Sequence, residues 1–151
     1  MTPAVKALER AQIEFRLHEY TGVEVGDGDY AVAVAEALEL PPQRLFKTLV
    51  ASVDGSLQVF LVPADSQLDL RAVGKRTALA TKAEAERATG YVVGGISPLG
   101  QRKRLPTTVD ESALVWETIL VSAGRRGLQI ELRPQDLVEL TGAAVAAIAA
   151  S

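Results

Sequence analysis

A chain of 151 residues, 48% of them apolar and 23% charged, has the length of one ordinary domain and enough apolar surface to offset the entropy of ordering it. It contains no cysteine, which removes disulfides, thiolate metal sites and a cysteine nucleophile together. A net charge of −3 argues against a general polyanion binder, because nonspecific nucleic-acid affinity needs clustered Lys and Arg, so any RNA contact must be local. One domain over residues 1–151 is expected. The first ten residues lack the apolar stretch of a secretion signal, and no run approaches the roughly 18 apolar residues of a membrane span. A cytoplasmic protein with no membrane contact is the expectation.

Thr2 and Pro3 read as an N-cap and first helical position, and Ala4, Val5, Leu8 and Ala11 form an apolar stripe, so the first helix covers about residues 3–12. Phe15 and Leu17 alternate with Arg16 and His18 up to Tyr20, the period of a half-buried strand. Residues 21–29, with three acids and three glycines, read as a loop. Ala31, Val34, Ala35 and Leu38 then follow helical spacing, and that helix ends near Pro41 and Pro42. Residues 46–53 and 57–62 flank Asp54-Gly55, a strong hairpin signal. A short helix is predicted from Asp69 and a second over residues 82–88. Residues 118–123 and 128–132 read as strands around a turn at 124–127. Pro134 opens a terminal helical region whose alanine-rich end is residues 143–150. Strands and helices alternate without a βαβ rhythm and at least two hairpins are antiparallel, so the class is α+β.

His18 is the single histidine, which makes zinc-protease motifs, histidine clusters and Ser-His-Asp triads hard to build. It reads as an exposed or rim residue. Carboxylates are scattered, and Asp27 and Asp29 lack the spacing of a calcium loop, so neither metal nor cofactor is expected. The richest stretch is Thr89-Gly90-Tyr91-Val92-Val93-Gly94-Gly95-Ile96-Ser97-Pro98-Leu99-Gly100-Gln101-Arg102-Lys103-Arg104. Its glycines can turn backbone N–H groups toward an oxyanion, a carbonyl or a phosphate, or can simply make a tight turn. Gly95-x-Ser97 resembles the start of a nucleophile elbow, but Leu99 replaces the needed glycine and Ser97 has no histidine base. Lys47 is the second anomaly, because it shares a strand face with Leu49, Ala51 and Val53. Either its stem packs while the ammonium reaches water, or it is held in a cleft as a cation. Arg102, Lys103 and Arg104, with Arg125 and Arg126, make a local basic rim or a set of solvated loop charges.

Phe46-Lys47-Thr48, Gly94-Gly95-Ile96-Ser97-Pro98-Leu99-Gly100 and Gln101-Arg102-Lys103-Arg104-Leu105-Pro106-Thr107 together resemble the YbaK/EbsC family of aminoacyl-tRNA deacylases, and closely its cysteinyl-tRNA(Pro) branch. The opening Met1 to Lys6 and Arg126-Gly127-Leu128 extend the similarity over nearly the whole chain. The resemblance implies a mixed, barrel-like β-sheet flanked by helices. It implies trans-editing, the removal of cysteine misattached to proline tRNA, with prolyl-tRNA synthetase as a possible partner. By the matching motifs, Lys47 would be the cation in the pocket with Thr48 beside it. Tyr20 and Tyr30 would wall the amino-acid site, Gly94, Gly95, Ile96, Ser97, Pro98 and Gly100 would form the backbone cradle, and Ser122 also fits. Gln129 stands where some relatives carry an aspartate, and the stretch between Lys75 and Gly90 is shortened.

An aminoacyl ester is already activated, so an enzyme need only orient it and stabilise the developing oxyanion. In the cysteine-specific branch the substrate's own thiol is thought to attack its carbonyl, which suits a chain without Cys or a metal motif. Alanine editing by water attack stays open, as does a non-catalytic module holding an aminoacyl or nucleotide group. A phosphate ester hydrolase ranks last, since the chain has neither a P-loop nor a carboxylate cluster.

Overall fold

The computed structural model describes residues 1–24 and 29–151, so part of the acid- and glycine-rich loop expected at 21–29, Asp27 included, lies outside the described residues. In chain order the elements are α1 (Pro3–Arg10), β1 (Arg16–Glu19), α2 (Tyr30–Ala37), β2 (Phe46–Val53), β3 (Ser56–Pro63), β4 (Gln67–Leu68), α3 (Leu70–Val73), β5 (Thr77–Leu79), α4 (Lys82–Thr89), β6 (Thr107–Asp110), β7 (Ile119–Ser122), β8 (Leu128–Leu132), α5 (Pro134–Thr141), β9 (Ala144–Ala146) and β10 (Ala149–Ala150). Single 3₁₀ turns precede β2 at Pro42–Arg44 and β7 at Glu111–Val115.

The local signals explain most of these bounds. Thr2 accepts the Val5 amide at 3.2 Å, Pro3 occupies the first turn, and Ala4, Val5 and Leu8 bury the stripe of α1. Thr81 and Glu84 close a reciprocal capping box on α4, and Gly90 ends that helix in the left-handed region. Asp54 and Gly55 both take positive φ, +51° and +84°, the conformation a two-residue hairpin turn requires, and β2 and β3 pair from Phe46–Pro63 to Val53–Ser56.

The strands form a five-stranded sheet in the order β5-β2-β3-β6-β9, a three-stranded sheet β1-β8-β7 and a two-stranded pair β10-β4. β6 runs parallel to β3 and β9, and the other pairings are antiparallel. The fold is therefore mixed α+β. The two larger sheets meet at an isolated parallel bridge, Leu45 to Leu120, and no continuous ladder closes them into a barrel among the described residues. Leu8, Phe46, Leu61, Ile119, Ile130 and Leu132 are nearly inaccessible and form the main core between the sheets, α1 and α5.

The alanine-rich end departs from the helical expectation. α5 stops at Gly142, which sits at φ +69°, and the chain then runs as β9 and β10. Asp110 directs this ending. It is buried, and its Oδ1 accepts the amides of Ile148 and Ala149 at 2.9 and 3.0 Å while Oδ2 accepts the Ser112 amide and hydroxyl. Four hydrogen bonds to one carboxylate outweigh the helix propensity of a few alanines.

Candidate active site

A cleft of about 430 Å³ opens where the two larger sheets diverge. β2 supplies one wall with residues 46–50, α2 supplies Tyr30 and Val34, and α4 with the strand before it supplies Leu79, Lys82 and Ala85. Gly94 and Ile96 come from the glycine-rich loop, and Ser122 and Gln129 face one another in register across β7 and β8. The lining is mostly apolar with a few convergent polar groups, the usual character of a small-molecule site.

Lys47 is half-buried, and burial pushes its ammonium below the ordinary lysine range, with the carboxylates of Asp29 and Asp65 acting in the opposite sense. In the same cleft lining, the Thr48 hydroxyl, on the alternate face of β2, and the Gln129 side-chain oxygen are buried with no hydrogen-bond partner among the described residues. A buried unpaired polar atom costs about 1–3 kcal/mol, so two of them in one cleft favour a ligand that brings hydrogen-bond donors. Tyr20 is buried behind the wall, and its hydroxyl lies 2.9 Å from that of Tyr30. Burial, first, and this hydrogen bond keep the Tyr30 phenol neutral well above its ordinary pKa.

The glycine-rich loop is held from both sides. The Val93 amide donates to Glu86 at 2.7 Å, and the Arg126 guanidinium donates twice to the Val93 carbonyl at 3.0 and 2.7 Å. Ser97 is fully buried, its hydroxyl accepts the Leu99 amide at 3.2 Å, and its carbonyl accepts Gln101, so it braces the turn. A Cβ at Gly95 would meet the Arg125 backbone at 2.8 Å, and one at Gly100 would meet the Pro3 carbonyl at 2.5 Å.

Of the residues singled out in the sequence, the fold brings Tyr30, Lys47, Thr48, Gly94, Ile96 and Ser122 to the cleft wall. Tyr20, Gly95, Ser97, Pro98 and Gly100 are not on it. Pro98 and Gly100 line a separate concavity with Arg104 and Leu140. Gln129 and Lys82 are lining residues that the sequence did not put forward as site residues. In the alternating strand Leu128-Gln129-Ile130-Glu131-Leu132 a polar residue is ordinary, and the signal for Gln129 was its place where some relatives carry an aspartate.

A second cleft, about 540 Å³, lies around Arg44, Trp116 and Glu131. Glu131 in it is already engaged: it accepts from Arg44 at 2.9 Å and from Thr118 at 2.7 Å, and lies 2.7 Å from His18. None of the candidate residues lines it. Among the described residues no group of three or more His, Asp or Glu side chains is placed to hold a metal ion.

Residues 25–140, which contain every lining residue of the candidate cleft, match the family model of the aminoacyl-tRNA editing domain. The chain belongs to this YbaK/EbsC editing-domain family. It is 35% identical over 153 residues to EbsC of Enterococcus faecalis, named as a candidate Cys-tRNA(Pro)/Cys-tRNA(Cys) deacylase, covering 97% of this chain and 92% of that protein. It is 25% identical over 112 residues to YwhH of Bacillus subtilis, covering 71% of each. A solved structure described as a candidate trans-editing enzyme for prolyl tRNA synthetase superposes with a TM-score of 0.82 at 26% identity, covering 100% of this chain and 99% of that one. The editing-domain fold thus extends beyond the matched segment to α1 and β1, which precede it.

Proposed function

We propose that this editing-domain protein is a trans-acting deacylase that hydrolyses the ester of cysteine on proline tRNA, with residues 1–151 working as one domain in the cytoplasm. The observation that carries the reading is Lys47, half-buried in an apolar cleft whose lining also holds two buried side-chain oxygens, of Thr48 and Gln129, with no hydrogen-bond partner among the described residues. A site with a half-buried lysine, unpaired side-chain oxygens and a backbone loop can seat the carbonyl and ammonium of an aminoacyl ester.

In this reading the substrate's thiolate attacks its own carbonyl carbon. The S–C bond forms as the ester C–O bond breaks, the terminal ribose oxygen takes up a proton, and water then opens the cyclic thioester to free cysteine. The attack is intramolecular, and a thiol with a reference pKa of about 8.5 ionises far more readily than a hydroxyl. Lys47 faces the developing oxyanion, the Gly94 backbone and Ser122 border the acyl group, and Tyr30, braced by Tyr20, closes the wall. The buried Ser97 and the packed Gly95, Pro98 and Gly100 hold the loop that presents Gly94 and Ile96. The surface is short of aromatic residues for stacking RNA, which favours tRNA selection with a partner such as prolyl-tRNA synthetase.

Deacylation of cysteinyl-tRNA(Pro) by wild type and by Lys47→Ala tests the assignment. Lys47 lies near a strand end, so its loss removes a charge rather than core volume. A rate loss of about 100-fold or more with an unchanged circular dichroism spectrum is expected, as for removal of an oxyanion-stabilising group. Wild-type activity in a folded Lys47→Ala protein would remove Lys47 from the chemistry.

A further inference from the structure

The cleft exists because β2 changes neighbours along its length. On the side away from β3, β2 pairs with β5 only at Ala51–Val53, and at its other end it touches β7 only through the Leu45–Leu120 bridge. Among the described residues no strand is laddered against β2 between these points on that side.

The direction of the main chain there follows from the hairpin. Val53 and Ser56 flank a two-residue turn and form a hydrogen-bonded pair, so Val53, Ala51, Leu49 and Lys47 direct their N–H and C=O groups toward β3. The alternate residues Ser52, Val50, Thr48 and Phe46 direct theirs away. The Val50 carbonyl obeys this rule, accepting the Ala80 amide at 2.9 Å. Phe46 is turned toward the β7 bridge and Val50 toward Ala80, the residue after β5, which leaves Thr48 at the gap, on the wall of the cleft.

Resting on the deacylase reading above, we propose that the main chain of Thr48 recognises the α-aminoacyl group of the substrate as a one-residue antiparallel bridge. The Thr48 N–H donates to the ester carbonyl oxygen, and the Thr48 C=O accepts from the α-ammonium. In an extended residue these two groups lie side by side, matching the adjacent amino and carbonyl groups of any aminoacyl ester. The contact reads the amino-acid backbone and leaves side-chain choice to the rest of the cleft. The unpartnered Thr48 hydroxyl lies at the same residue and offers a further acceptor. Because the N–H faces the carbonyl where negative charge develops, it is a catalytic group in the same sense as an oxyanion-hole amide.

Thr48→Pro tests this, since proline deletes the N–H along with the hydroxyl that Thr48→Ala also removes, keeps the preceding Lys47 extended as it already is in β2, and is tolerated in a strand where that N–H is not in a ladder. Expected are a retained fold, a loss of about 100-fold or more in cysteinyl-tRNA cleavage, and a much smaller loss for Thr48→Ala, which keeps the amide. Leu49→Pro, whose N–H points into β3, is expected to unfold the protein. Backbone hydrogen exchange gives a readout independent of activity and of whether Thr48→Pro folds. In the free wild-type protein the Thr48 amide should exchange faster than those of Lys47 and Leu49, and an amide-linked cysteinyl-adenosine analogue should slow it. A Thr48 amide as protected as its neighbours without ligand, or unaffected by the analogue, would overturn the proposal, as would a fully active Thr48→Pro. A wild-type protein that cleaves no aminoacyl ester would instead overturn the deacylase reading, while the exchange data would still decide the role of Thr48.

Discussion

A side chain at Gly95 would stand 2.8 Å from the Cα of Arg125, so the glycine-rich loop and the β7–β8 turn touch backbone to backbone. The same turn sends Arg126 back to the Val93 carbonyl, which locks the residue next to Gly94 at the cleft. The glycine is present for this approach, and its conformational freedom matters less than its lack of a Cβ.

Gly95→Ala is therefore expected to destabilise the protein by about 1–3 kcal/mol, the cost of overpacking. Gly100→Ala should cost at least as much, since it adds a positive φ of 66° to a clash with the Pro3 carbonyl at 2.5 Å. Urea unfolding of the two variants checks this; wild-type midpoints would mean that the loop yields freely.

The Asp110 carboxylate is expected to tie the C-terminal segment to the sheet. Burial pushes its pKa up, but hydrogen bonds from Ser112, Ile148 and Ala149 win and hold it below the ordinary value. A depressed folded pKa contributes stability that is present above the unfolded carboxylate value and is lost as pH falls through the folded one. Asp110→Ala should cost about 2–3 kcal/mol at pH 7, and the gap to wild type should narrow in acid. Equal stability at neutral pH would show that β9 and β10 hold without it.

Much of this architecture could be read from residue pattern. Thr2-Pro3, Asp54-Gly55 and the alternation around Ile130 each act through local backbone geometry, and α1, the β2–β3 hairpin and β8 follow them. β6 and β9 depend on parallel pairings between segments distant in sequence, and the chain end after β9 on the Asp110 carboxylate, 38 and 39 residues before the amides it holds, so alanine content alone misread it. Of the site, Lys47 stood out because a charge on an apolar strand face violates a period. The division of the 94–100 stretch into cleft-facing Gly94 and Ile96 and packed Gly95, Ser97 and Gly100 depends on where Pro3 and Arg125 come to rest, which no local pattern carries.

Lys47 should also shape the pH dependence. Burial places its pKa below the ordinary lysine range, so the cation is lost earlier than for a surface lysine as pH rises. Deacylation is expected to rise as the substrate thiol ionises and then to fall through the lowered Lys47 pKa. Lys47→Arg, whose charge persists, should move or remove the falling limb in a pH–rate profile. An unaltered limb would assign it to another group.

In the proposed mechanism the substrate supplies the nucleophile. Single-turnover cleavage of proline tRNA charged with cysteine, alanine or S-methylcysteine, measured side by side, decides this. Attack by the substrate thiol predicts rapid cleavage of the cysteinyl ester, slow cleavage of the alanyl ester and no cleavage of the S-methylated one. Equal rates for the cysteinyl and alanyl esters, or release of S-methylcysteine at the cysteine rate, would contradict it and make water the attacking group.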